Sequence, residues 1–167
     1  NTNLKTICDF DNDKSKELNT KFPNVSIENK CQTILENDDI NIVSIASYDN
    51  FHISQIIKAL ESGKHVMSEK PLCINRSEML QIYKTQKQNP DAKLSSNLVL
   101  RTNSRLEKLK KDIAEGKFGE VYYIEGDYLW GRKSKLFEWR ADMDYYSIIL
   151  GAAIHMIDLE MWLIDSR

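Results

Sequence analysis

Residues 40–67 restrict the fold more than any other part of the chain. Ile40 to Ala46 is a β-branched, nearly all-apolar run, the pattern of a parallel strand buried on both faces. Asn50 to Ser62 then sets Ile53, Ile56, Ile57 and Leu60 at i, i+3, i+4 and i+7, the apolar stripe of a helix. Gly63 falls where a helix ends on a left-handed glycine, and a second short strand runs through His65 to Met67. Strand, helix and strand at this spacing predict a parallel sheet with a helical crossover.

The same alternation extends to both sides. Leu4 to Asp9 predicts a strand. Asp11-Asn12-Asp13 supplies N-cap chemistry for a helix through Phe22, and Pro23-Asn24 ends it. Gln32 to Asn37 predicts a short helix and Asp38-Asp39 a turn. Asn75 to Gln88 is a helix with Met79, Ile82 and Tyr83 on one face, and Lys93 to Leu100 follows as a strand after the Asn89-Pro90-Asp91 turn. Then the pattern changes. Ser104-Arg105-Leu106-Glu107 reads as a capping box, with Leu106, Leu109 and Ile113 continuing a stripe to Gly116. Glu120 to Leu129 has the polar interruptions of a half-exposed antiparallel strand. Lys133 to Tyr145 is irregular, and Ser147 to Ile164 is an apolar helix. The expectation is an α/β domain over residues 1–98 and the start of a second α/β domain over 99–167.

Composition excludes several classes. The formal net charge of -2 carries no basic surplus for nucleic acid. No apolar run approaches the roughly 20 residues that span a bilayer. Cys8, Cys31 and Cys73 are odd in number and widely spaced, which fits reduced thiols in a cytoplasmic protein better than a disulfide frame.

The chemistry-bearing residues fall in two places. After the His65 strand the chain reads Ser68-Glu69-Lys70-Pro71. Pro71 fixes its own φ and biases Lys70 away from the α region. That pins Lys70 just past a strand carboxyl end, where open α/β sheets bind ligands. Ser47 and Asp49 follow the buried Ile40 strand in the equivalent position. Glu69 is either a solvated turn carboxylate or a group that holds Lys70 or a ribose. The second place is the apolar helix, where His155 and Asp158 share a face at i, i+3. His155 is either a satisfied core residue or a proton carrier with Asp158 fixing its tautomer. A histidine and an aspartate are too few ligands for a metal.

Gly63-Lys64-His65-Val66-Met67-Ser68-Glu69-Lys70-Pro71 resembles the G-K-H-V-x-x-E-K-P signature of the Gfo/Idh/MocA oxidoreductases, the family of glucose–fructose oxidoreductase and inositol dehydrogenase. The resemblance runs on. Ala46 to His52 is similar to the family's A-T-P-N-x-x-H turn, with Tyr48 and Asp49 in place of proline and asparagine. Asn97 to Arg101 resembles its N-x-x-x-R segment. Gly116-Lys117-Phe118-Gly119-Glu120 resembles its G-x-I-G-E-V turn, and Trp139-Arg140 its W-R pair. Gly151 to Leu163 resembles its H-x-I-D-L-x-x-W-L helix. Two departures stand out. No G-x-G-x-x-G is present, since Gly63 is the first glycine, so that fingerprint is expected about 30 residues' worth of chain before Asn1. Gly151 stands where most relatives place an aspartate.

The resemblance implies a Rossmann-type parallel sheet lacking its first βα unit. It implies hydride transfer between a nicotinamide, NAD with NADP not excluded, and a hydroxyl-bearing carbon of a sugar, cyclitol or sugar nucleotide. It also implies a homo-oligomer at full length. Lys70 becomes the active-site lysine and His155 its proton-handling partner, with Asp158 orienting. Cofactor contacts are implied for Asp9, Ser47, Asp49, His52, Glu69, Lys70, Pro71, Asn97 and Arg140. Asp9, ending its strand, is then either the acid that bonds the adenosine ribose or an ordinary turn aspartate. His52 is a cofactor-site wall or a first-turn helix residue, and Trp139-Arg140 a packed cation–π pair or, through Arg140, a contact to the cofactor or substrate. A non-catalytic NAD(P)-binding sensor and an NAD-assisted glycoside hydrolase are the alternatives within the same family.

Overall fold

The computed structural model describes residues 2–129, 131–143 and 146–165. Its elements in chain order are β1 (Thr6–Cys8), α1 (Asn12–Lys21), β2 (Ser26–Glu28), α2 (Gln32–Leu35), β3 (Ile42–Ile45), α3 (Asp49–Glu61), β4 (His65–Ser68), α4 (Arg76–Gln88), β5 (Leu94–Ser96), α5 (Ser104–Ala114) and α6 (Ile154–Leu163). All strand pairing is parallel, in two sheets ordered β1-β2 and β3-β4-β5. Strand β2 is an addition to the sequence-based pattern. Its only signal is the short alternation Val25-Ser26-Ile27-Glu28 after the Pro23 break.

Local chemistry sets the element ends. Asp11 caps α1 by accepting from the Asp13 and Lys14 amides. Asn75 caps α4 by accepting from the Glu78 amide. Gly63 takes φ +70 after α3, the left-handed conformation that favours glycine. The capping-box expectation is shifted by one residue. Asn103, not Ser104, caps α5 and accepts from the Arg105 amide at 3.0 Å. Asparagine caps as well as serine, so the earlier residue takes the role.

The core lies between the β3-β4-β5 sheet and helices α3 and α4. Ile45, Ile56, Ala59, Leu60, Val66, Ile82 and Ala92 are buried together. Burying each large aliphatic side chain contributes about 1.5–3 kcal/mol. Of the face expected on α4, Ile82 is buried, while Met79 and Tyr83 stay exposed. Lys64, the lysine of the G-K-H-V run, is buried and donates Nζ to the Asn37 and Ile40 carbonyls at 2.8 and 2.9 Å. It ties the turn between α3 and β4 to the loop before β3.

Two expectations fail. Strand β3 is not covered on both faces, since Ile42 is 56% exposed and, on β4, Met67 is 44% exposed. Helices α3 and α4 pack on one side, and no described element covers the other. Glu120 to Leu129 forms no strand. A strand needs a neighbour for its backbone groups, and no described segment provides one.

Strands β1 and β3 each keep an unpaired edge among the described residues. In the order 3-2-1-4-5-6 these two strands flank the first. Bare edges beside exposed apolar side chains promote association. Residues 1–167 expressed alone should therefore aggregate or melt broadly. A soluble monomer with one cooperative thermal transition would refute this.

Candidate active site

The site gathers at the carboxyl ends of β3, β4 and β5, where the sheet register brings three turns side by side. His52 joins two of them. It is fully buried on α3, with Nδ1 2.7 Å from the Pro71 carbonyl and Nε2 3.1 Å from the Ser47 carbonyl. The residue is thus neither an ordinary first-turn residue nor an open wall. It is a cross-link between the turn after β3 and the turn after β4. Ser47 Oγ donates to Gln55 Oε1 at 2.7 Å, and Pro71 is fully buried after a cis peptide bond.

Glu69 and Asn97 join the third turn. Asn97 Nδ2 donates to Glu69 Oε1 at 2.6 Å, and the Asn97 amide donates to the Ser68 carbonyl at 2.9 Å. Asp49 opens α3 and is buried. Burial pushes its carboxyl above the ordinary carboxylate value, and the charges of His52, Lys70 and Arg140 pull it back. Asp9 lies after β1 and spends one oxygen on its own turn, with Oδ1 accepting from the Asp11 amide at 2.9 Å. The neighbouring Phe10 ring meets the Tyr48 ring edge-on, centroids 6.1 Å apart, so the β1 and β3 turns touch.

Lys70 reaches across to the second part of the chain. Its Nζ donates to the Gly151 carbonyl at 2.5 Å. Gly151 lies in a π-helical turn, Ile149–Ala153, that leads into α6. Such turns recur at functional sites because they break the regular hydrogen-bond ladder. His155 follows on α6 with Nδ1 buried and without a hydrogen-bond partner among the described residues. Burial first, and the Lys70 ammonium second, hold its pKa below the ordinary 6.5, against Glu69 and Asp158. Arg140 lies on a short 3-10 turn, its guanidinium carbon 5.6 Å from the Tyr146 ring centroid. The Trp139 side chain lies outside the described part of the structure.

No hydrogen bond joins Asp158 to His155 among the described residues. The Arg101 guanidinium donates to both of its oxygens, Nε to Oδ2 at 2.8 Å and Nη2 to Oδ1. The i, i+3 spacing does put the carboxylate near the imidazole. The bonds the carboxylate makes are to the guanidinium, whose fork matches its two oxygens. Arg101 also lies 6.0 Å from the Trp162 ring centroid. The pair fastens α6 to the segment after β5, which brings His155 to Lys70. The signal was in the sequence, as an arginine four residues after Asn97 and an acid on the terminal helix.

Tyr146 was not singled out by the sequence. Its hydroxyl is buried without a partner among the described residues, against Gly151. The available clue was a glycine inside an apolar helix, which marks a close approach. No three of His, Cys, Asp and Glu come together as a metal set among the described residues, and no described helix is long and apolar enough to cross a membrane.

Parallel strands with helical crossovers and polar groups at the strand carboxyl ends define a nucleotide-binding α/β domain. The chain belongs to the Gfo/Idh/MocA oxidoreductase family with an NAD-binding Rossmann fold, whose family model matches residues 1–97. It is 26% identical to levoglucosan dehydrogenase of Pseudarthrobacter phenanthrenivorans, with 96% of this chain and 42% of that protein covered. It is 25% identical to D-glucoside 3-dehydrogenase of Escherichia coli, with 96% and 46% covered. The structure of scyllo-inositol dehydrogenase from Lactobacillus casei with bound NAD(H) and scyllo-inositol superposes with a TM-score of 0.81 at 21% identity, covering 96% of this chain and 48% of that one. The chain spans less than half the length of these proteins.

Proposed function

We propose that this chain forms the catalytic core of a dehydrogenase that oxidises a hydroxyl-bearing carbon of a sugar or cyclitol with NAD. The observation that carries the reading is the reach of Lys70 from the turn after β4 to Gly151, four residues before His155. One cation and one proton acceptor are thereby brought together at the strand carboxyl ends. The fit of a nicotinamide nucleotide is supported by the polar turns there, and that of a hydroxyl-bearing substrate by two buried polar atoms without partners among the described residues, Tyr146 Oη and His155 Nδ1. The named activities of the levoglucosan, glucoside and inositol dehydrogenases support the substrate class.

When bound, the nicotinamide supplies a hydride acceptor, and the protein manages one proton. Lys70 Nζ donates to the reacting oxygen and stabilises its negative charge. His155 Nδ1 takes the substrate hydroxyl proton, and its lowered pKa keeps the imidazole neutral for that role. His52, through the Ser47 and Pro71 carbonyls, fixes the turns that aim Lys70. Ser47, Asp49, Glu69, Pro71, Asn97 and Arg140 would line the cofactor site. Asp9 would accept from the adenosine ribose hydroxyls and repel a 2′-phosphate, which favours NAD over NADP. The free Cys8, Cys31 and Cys73 support a reducing, cytoplasmic setting, and the enzyme is expected to be a homo-oligomer.

Turnover of the full-length protein on inositols and alkyl glucosides tests the reading. Net nicotinamide reduction, with NAD preferred in kcat/KM, is the expected result. Cleavage of a glucoside without net reduction would move the protein to glycoside hydrolysis. Nicotinamide binding with no turnover of either kind would make it a sensor.

A further inference from the structure

A Cβ built on Gly151 would stand 1.9 Å from Tyr146 Oη and 2.5 Å from Tyr146 Cζ. The tyrosine hydroxyl therefore fills the side-chain space of residue 151, the same residue whose carbonyl takes the Lys70 ammonium. Buried hydroxyls almost always have a partner, and leaving one without is costly. Tyr146 Oη has none among the described residues, and neither has His155 Nδ1. The Arg140 guanidinium carbon lies 5.6 Å from the ring centroid, a cation–π contact. A phenolic oxygen that can both donate and accept thus lies against Gly151, whose carbonyl takes the Lys70 ammonium, four residues before His155. A sugar hydroxyl is both donor and acceptor, so it can satisfy a phenolic oxygen of this kind.

We propose that Tyr146 is a substrate-binding residue whose hydroxyl bonds a hydroxyl of the polyol or sugar held beside Lys70. The proposal rests on the dehydrogenase reading above. It assigns to Tyr146 the polar group that Gly151 cannot supply. It also explains why residue 151 has no side chain, since any Cβ would displace the phenol.

Tyr146→Phe in the full-length protein removes the oxygen and keeps the ring on Arg140. Its unliganded Tm should equal or exceed the wild-type value, because the lost hydroxyl has no partner among the described residues. The thermal shift produced by myo-inositol or methyl β-D-glucoside should shrink. KM for the same compound should rise about tenfold, the scale of one lost hydrogen bond, with a smaller change in kcat and none in NAD affinity. Gly151→Ala should raise KM in the same direction by pushing the hydroxyl aside. A lower Tm in Tyr146→Phe with KM and the thermal shift unchanged would overturn the proposal and make the hydroxyl structural. If the wild type turns over no polyol, the dehydrogenase reading fails separately. The thermal shift then decides for Tyr146: equal shifts, or none, in wild type and Tyr146→Phe overturn its role.

Discussion

Lys70→Met in the full-length protein should lower kcat by about a hundredfold or more, while NAD affinity changes little. A hundredfold is about 2.7 kcal/mol of barrier, the scale of removing one well-placed donor to a developing charge. The geometry explains why so much depends on this side chain. His52 locks the turn that carries Lys70, and the Lys70 ammonium already donates across to Gly151. Methionine keeps the length and the apolar stem but cannot donate. The same change has a second consequence. The Lys70 charge is one of the two forces holding the His155 pKa down. Without it, the acid limb of kcat/KM should move to higher pH, toward the ordinary histidine value. Stopped assays across pH measure both effects. An unchanged acid limb would show that Lys70 and His155 do not share a site.

His155→Ala should also cost about a hundredfold in kcat, the usual scale for a lost general base. In the wild type the imidazole is neutral to below pH 6.5, so the acid limb should lie below that value. The sign of the stability effect follows from the same shift. Folded His155 gives up its proton more readily than the unfolded chain does. The unfolded state therefore binds more protons between the lowered value and 6.5, so stability rises with pH through that window and is lost as pH falls through it. His155→Ala should flatten that acid-side loss. The double variant with Lys70→Met should cost less than the product of the single effects, because both residues serve one step. Near-normal kcat in His155→Ala with only a lower Tm would make His155 a core residue.

Much of the fold was legible because its signals are local. The Ile53 to Leu60 stripe, Gly63 and the Asp11 and Asn75 caps each fix an element within a few residues of sequence. Strand β2 was not legible, because three residues with one apolar side chain carry little periodicity. The even coverage expected of β3 failed because an apolar run reports what a strand could bury, not which neighbours lie on it. At the candidate site, the motif and the helix singled out Lys70 and His155, and the structure puts the Lys70 ammonium on the Gly151 carbonyl, four residues before His155. Their partners were not legible. Sequence spacing put Asp158 with His155, whereas tertiary packing gave it to Arg101. The Glu69–Asn97 bond and the two carbonyls on His52 join turns far apart in sequence, which no local pattern encodes. Tyr146 was hidden for the same reason, since its only mark is the missing side chain of Gly151.

Direct hydride transfer is the measurement that tests the account most closely. A polyol or glucoside deuterated at its carbinol carbons would be incubated with the full-length protein and NAD, and the nicotinamide analysed by mass spectrometry. The account predicts one deuterium on the reduced nicotinamide and a ketone on the sugar or cyclitol. The transfer should be lost with Lys70→Met and with His155→Ala. Deuterium that stays on the carbohydrate, with the nicotinamide unlabelled and unreduced, would contradict it.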